Sequence, residues 1–225
     1  MKRLLAIFII LFTTLSTLPT AYGYLYNEPH SLQPQLESTR NKTLQIDVYQ
    51  NYPWEQPSIL YTASGSLLDD GFVLTNYHVV GEQSKFIKYV VKTYDGKLYN
   101  GKVIRYDKAK DLALMKISTE KEGFTLSTTE PYVNQSVMTV GQPVGLPRWS
   151  FSEGIILTLD MECKTSQGDL YKATQTSAQV ISGNSGGPLV NDRGELMGII
   201  RATDGVNSYA VTMEDIKTFM EGQYD

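Results

Sequence analysis

The sequence predicts an all-β protein, a sandwich or a barrel. Three observations carry this. Short β-rich runs recur from Ser58 onward, tight-turn signals separate them, and helical periodicity is almost absent until the C-terminal end. Asp-Gly between two such runs is a strong local hairpin signal, because both residues tolerate the backbone twist a two-residue turn needs.

Taken in order, "SILYTASGSLL" leads through Asp69-Asp70-Gly71 into "FVLTNYHVV", and "KFIKYVVKTY" through Asp95-Gly96 into "KLYNGKVIRY". "GPLV" leads through Asn191-Asp192-Arg193-Gly194 into "ELMGIIRA". Cys163, in "DMECKTS", reads as a strand residue with no neighbouring partner for metal or redox work. One helix is expected, at the end. Thr212 can cap it, Asp215 follows three residues on, and Met213, Ile216, Phe219 and Met220 share one face.

Before Ser58 the pattern differs. "MKRLLAIFIILFTTLSTLPTAYG" has a charged start, a short apolar run and small residues at Ala21 and Gly23. This is a signal-peptide pattern, so residues 1–23 are expected to be removed. The alternative is an uncleaved anchor. No later stretch is apolar enough to cross a membrane, so no stable span is expected after removal. Residues 24–57 are polar and rich in proline, and read as a surface arm with one short strand at Leu44–Val48. Residues 58–225 form the remaining domain.

The 225 residues are 41% apolar, enough for a packed core. A formal charge of -4 argues against a nucleic-acid binder, which normally shows a basic face. A single cysteine allows no internal disulfide. Two distant histidines and that cysteine cannot build a usual zinc site, so no metal and no cofactor is expected.

The chemistry starts at "SGNSGGPLV", Ser182–Val190. A serine hydroxyl is a weak nucleophile and needs a base, which needs an orienting group. Of the two histidines, His30 lies in the irregular arm and His78 ends an apolar strand, so His78 is the candidate base. Gly183-x-Ser185-x-Gly187 also fits the nucleophile elbow of α/β-hydrolases. That fold needs a histidine after the serine and alternating strands and helices, and this chain has neither. The order acid, His, Ser needs an acid before His78; only Asp47, Asp69 and Asp70 qualify, Asp69 and Asp70 read as turn formers, and that fold is also wrong, which leaves His, acid, Ser. Asp111 precedes the apolar run "LALMKI", which would draw it toward the core beside His78. Gly183 and Gly186 permit close backbone approach, so the N–H groups of Gly183 and Ser185 are the candidate oxyanion hole.

Together these stretches resemble the chymotrypsin-like serine proteases, most closely the protease domain of the HtrA/DegP group. "GSLLDDGFVLTNYHVV" is similar to the family's histidine region and "DLALMKI" to its aspartate strand. "VGQPVGL" is similar to its glycine-proline loop, and "QTSAQVISGNSGGPLVNDRGELMGI" to its serine region. The resemblance implies two six-stranded barrels with a boundary near Glu120–Tyr132. His78 and Asp111 would come from the first barrel and Ser185 from the second. It implies an exported serine endopeptidase acting on polypeptides through an acyl-enzyme, secreted or in the cell envelope of a bacterium, as a monomer or an HtrA-like trimer.

Departures from the family qualify this. Asn184 replaces the aspartate that trypsin-type activation uses. HtrA proteins usually carry PDZ domains after the protease, and this sequence ends first, so peptide gating by such a domain is not expected. By the same resemblance Val180, Thr203 and Asn207 shape the S1 pocket. Neither a carboxylate nor a histidine stands at its base, so small to medium aliphatic P1 residues are expected. Arg201 stands where a small or neutral residue is commoner, and would narrow the cleft or meet an acidic substrate group. The competing reading is a catalytically silent binding or chaperone-like relative. Such relatives usually lack a member of the catalytic set, and all three are present here.

Overall fold

The computed structural model describes residues 32–165 and 168–222. The signal segment and His30 lie outside the described residues. Twelve strands form two closed barrels of six, and every pairing within them is antiparallel. In the first barrel, β1 (Thr43–Gln50), β2 (Ser58–Leu67), β3 (Phe72–Thr75), β6 (Leu112–Lys116), β5 (Leu98–Asp107) and β4 (Ile87–Lys92) are neighbours in that order. The second runs β10 (Pro188–Val190), β11 (Leu196–Thr203), β12 (Ser208–Val211), β9 (Leu170–Thr176), β8 (Ser150–Lys164) and β7 (Ser136–Gly141). Closure leaves no exposed sheet edge in either barrel. Residues 117–135 connect the two.

The expected hairpins form at Asp69–Gly71, Asp95–Gly96 and Asn191–Gly194, and Cys163 lies in β8. The C-terminal helix is α3, Met213–Glu221. The Thr212 side chain accepts from the Asp215 N–H at 3.2 Å, and Met213, Ile216 and Phe219 are buried.

In the described part of 24–57 the short strand expected at Leu44–Val48 forms, within Thr43–Gln50, but the surface-arm reading is corrected. Gln33–Lys42 is a helix, α1, and Thr43–Gln50 is a barrel strand paired on both sides. Leu44, Ile46 and Val48 alternate into the barrel core. Gln45 and Asp47 between them, which made the segment look polar, are also buried. Gln45 Nε2 bonds the Asp47 carboxylate at 2.8 and 2.9 Å, and Thr62 Oγ1 meets it at 2.6 Å from β2. The helix starts with Pro34 in its first turn, where a missing N–H costs nothing. Of its residues Leu36 and Thr39 are buried, Leu32 just before it joins Leu36 in the core, and Arg40 donates to the Trp149 carbonyl at 3.2 Å.

Each barrel has its own apolar interior, around Val73, Val91 and Met115 in the first and Ile156, Leu189 and Ile200 in the second. A third cluster joins them. Leu74, Leu112 and Leu114 from the first barrel pack with Met138, Val140, Leu196 and Ile199 from the second, and with Leu36, Ile216 and Phe219 of the helices. Apolar burial at this seam fixes the barrels against each other, which lets residues from both define one site.

Candidate active site

Strand pairing brings the first two residues together. β3 and β6 are neighbours, with Thr75 opposite Ala113. The chain leaving β3 therefore lies beside the chain entering β6. Beyond β3, Tyr77–Val80 makes a single helical turn, α2, that carries His78. Before β6, Asp111 sits in a left-handed conformation, φ 54°, that ends a tight turn. Buried Asn76 ties the two segments by donating to the Asp111 carbonyl at 3.1 Å.

The contact itself is two-pointed. The His78 backbone N–H donates to Asp111 Oδ1 at 2.9 Å, and ring Nδ1 lies 2.8 Å from Oδ2. The carboxylate is 7% exposed and the imidazole 47%, so the acid is inside and the base reaches the cleft.

Ser185 lies in the loop between β9 and β10. The first barrel grips this loop through Ser64 of β2. The Ser64 N–H donates to the Ser185 carbonyl at 2.9 Å, and Ser64 Oγ donates to the Gly183 carbonyl at 2.8 Å. Ser64 Oγ also accepts from the Gln142 N–H at 3.0 Å. Gly183 has φ 98°, and a Cβ there would stand 2.1 Å from the Gln142 carbonyl oxygen, so no other residue fits. The N–H groups of Gly183 and Ser185 meet no acceptor among the described residues, whereas those of Asn184, Gly186 and Gly187 are bonded within the fold.

Trypsin-like peptidase domains match residues 63–199, more than half of the chain. The chain belongs to the trypsin-like peptidase family. Among its relatives is the putative serine protease HhoA of Synechocystis sp., 34% identical over 73% of this chain and 43% of its own length. The Do-like HtrA serine protease of Lactococcus lactis is 33% identical over 75% of this chain and 40% of its own. Serine protease HTRA1A of Danio rerio is 29% identical over 95% and 45%. The chain thus spans less than half the length of these relatives. The HtrA-type resemblance read from the motifs is borne out.

In this trypsin-like chain, Ser185 Oγ donates at 3.4 Å to the carbonyl of Arg201. Arg201, expected to narrow the cleft or meet an acidic substrate group, meets an acidic group of its own chain. Its Nε lies 3.2 Å from Asp111 Oδ2, and its guanidinium stacks over the Tyr171 ring at 3.6 Å. One residue thus touches both Asp111 and Ser185. Burial pushes the Tyr171 hydroxyl up from its ordinary value, and Arg201 pulls it partly back.

Val180 is buried against Val137, Ile156, Leu189 and Ile200. Thr203 and Asn207 close the β11–β12 hairpin turn, Thr203 Oγ1 donating to the Asn207 carbonyl at 2.8 Å. Gln179, next to Val180, links to this turn, its amide donating to the Val206 carbonyl at 2.7 Å. Asp204 in that turn is occupied by its own chain. Backbone N–H groups of Asn207 and Val206 and the Tyr209 hydroxyl hold its carboxyl down to about 2.

Ser64, Asn76 and the inward turn of Arg201 escape sequence reasoning. The available signals are slight: a serine inside the apolar "YTASGSLL", the asparagine before "YH", and an arginine interrupting "MGIIRA".

Proposed function

We propose that this chain is a serine endopeptidase in which His78 is general base and acid, Asp111 orients it, and Ser185 forms the acyl-enzyme. The observation that carries this is the double contact of His78 with a buried Asp111, beside a serine loop locked across the two barrels. Asp111 holds Nδ1 protonated, which leaves Nε2 with its lone pair toward the cleft. Ser185 Oγ exchanges the Arg201 carbonyl for Nε2, gives up its proton there and attacks the scissile carbonyl carbon. The unbonded N–H groups of Gly183 and Ser185 suit the oxygen on which charge develops. His78 then returns the proton to the leaving amine, and water repeats the sequence to release the acid.

Polypeptides are the proposed substrates, cut after small to medium aliphatic P1 residues. Val180, Thr203 and Asn207 are the proposed pocket walls. The Gln179–Val206 bond supports this grouping. Export to the envelope or medium is proposed from the leader-like N-terminal sequence.

A fluorophosphonate probe tests the assignment. Labelling of the native chain and its loss in Ser185→Ala are expected, and equal labelling of both overturns it.

A further inference from the structure

The turn that carries His78 is four residues long, Tyr77–Val80, and a turn this short holds little geometry of its own. The Gly81 N–H closes on the Tyr77 carbonyl at 2.7 Å, and the chain leaves through Gly81 at φ 61°. The Val79 and Val80 carbonyls have no partner within the turn, as at any helix C-terminus. Two phenols supply what is missing. Tyr61 of β2 donates to the Val79 carbonyl at 2.9 Å, and Tyr89 of β4 donates to the Val80 carbonyl at 2.7 Å. Gln83 Nε2 donates to the Tyr89 oxygen at 3.2 Å and to the Gly81 carbonyl at 3.1 Å, which fixes that phenol in turn.

The two tyrosines belong to one row of the first barrel. Val48 of β1 stands opposite Tyr61 on one side and opposite Tyr89 on the other. Val48, Tyr89, Val79 and Val80 share one apolar cluster. The turn is therefore seated on this row, its two valines in the core and each of their carbonyls under a hydroxyl. Leu60, directly before Tyr61, is the extra residue of a bulge between β1 and β2, a device that re-aims a neighbouring side chain. Burial pushes both hydroxyls above their ordinary value, so both stay protonated donors at neutral pH. Strand β2 also carries Ser64, three residues beyond Tyr61 and about 10 Å along the strand. Ser64 holds the serine loop through the Ser185 and Gly183 carbonyls. One strand thus grips the turn of the base at one point and the loop of the nucleophile at the next.

We infer that Tyr61 and Tyr89 are positioning residues: their hydroxyls cap the His78 turn and, with Ser64 on the same strand as Tyr61, set where the base stands relative to Ser185. The inference rests on the reading of His78 as the base. Asp111 fixes the turn at the His78 N–H, and the phenols fix it at two carbonyls further along. Without the hydroxyls the turn keeps its valine packing and the Asp111 contact, and loses the two bonds that stop it from rotating about them.

Steady-state kinetics of the full chain on a fluorogenic peptide with an aliphatic P1 residue test this, using Tyr61→Phe, Tyr89→Phe and the double variant. Phenylalanine keeps the ring and its packing. Each single change is expected to lower kcat about tenfold and the pair about 10²-fold, the loss that a misplacement near 1 Å causes, with KM near the native value. Tyr99→Phe is the control. Tyr99 packs on the same apolar interior, and its hydroxyl meets Thr119 Oγ1 at 3.4 Å instead of the turn, so native kcat is expected. All variants are compared at a temperature where circular dichroism shows them folded. If the double variant does not fold, Tyr61→Phe decides, since that residue is 42% exposed and its ring is retained. Native kcat in the double variant, or in Tyr61→Phe where the double does not fold, overturns the inference. So does a rise in KM at native kcat, or an equal fall of kcat in Tyr99→Phe. Failure of the peptidase reading shows separately, as absent fluorophosphonate labelling of the native chain.

Discussion

His78 and Asp111 are joined twice, through the backbone N–H of one to Oδ1 of the other and through ring Nδ1 to Oδ2. One carboxylate therefore fixes both the helical turn that carries the base and the plane of its ring. Asp111→Asn replaces an acceptor by an amide that can donate to Nδ1, which selects the wrong tautomer. A loss of about 10⁴-fold in kcat is expected. The same change leaves the buried Arg201 guanidinium uncompensated, so urea denaturation is expected to show a stability loss of roughly 3–5 kcal/mol. Asp111→Asn with Arg201→Met is expected to recover stability without recovering turnover.

Ser64 is the second point of control. It belongs to the first barrel, yet its hydroxyl bonds the Gly183 carbonyl and the Gln142 N–H of the second, and it is fully buried. Ser64→Ala leaves both groups unpaired away from water, which costs roughly 1–3 kcal/mol. The Gly183 peptide also loses the bond that holds its orientation. Steady-state kinetics are expected to show kcat falling while KM stays near the native value. Unchanged kcat would mean that the Gly183 φ alone sets the peptide.

The candidate site was legible because it sits in residue types that do little else at such spacings: a lone strand-end histidine, an acid before an apolar run, a serine among glycines. The barrels were legible through turn chemistry. What stayed hidden depends on contacts distant in sequence. Strand β1 reads as polar because Gln45 and Asp47 are satisfied by one another and by Thr62, so local polarity gives no hint of burial. Helix α1 has too few apolar residues to show a period, since only Leu36 and Thr39 of it are buried. Ser64 looks like ordinary strand alternation, and only the serine loop from the other barrel makes it interior. Arg201 points at Asp111, and no pattern around "IIRAT" encodes that.

Acid stability has a marker remote from the cleft. In the turn between β10 and β11, Arg193 at 2.6 Å and Asn191 at 2.8 Å hold the Glu195 carboxyl down from its ordinary 4.5 to about 2. A depressed folded value stabilises fully above the unfolded value and is lost as pH falls through the folded one. Glu195→Gln is therefore expected to lower Tm at neutral pH. The difference from the native chain is expected to shrink below about pH 4.5 and to vanish near pH 2. A gap in Tm that stays constant across this range would remove Glu195 from the acid response.

The Gly183 peptide offers the sharpest test of the oxyanion donors. Its φ of 98° is one that side chains resist, and a Cβ would press on the Gln142 carbonyl oxygen at 2.1 Å. Gly183→Ala must therefore turn the peptide, and the N–H turns with it. Losing one such donor costs about 10²–10³-fold in kcat. Gly194 is the control. Its φ of 73° carries similar backbone strain, but a Cβ there meets nothing nearer than Gln35 Cγ at 3.5 Å. Gly194→Ala is expected to cost about 1 kcal/mol of stability and to leave kcat intact. Burst-phase acylation with an activated ester separates the two effects. If the oxyanion assignment holds, acylation slows in Gly183→Ala alone, at a temperature where both variants are fully folded. Equal slowing in both would assign the loss to backbone strain and remove Gly183 from the oxyanion hole.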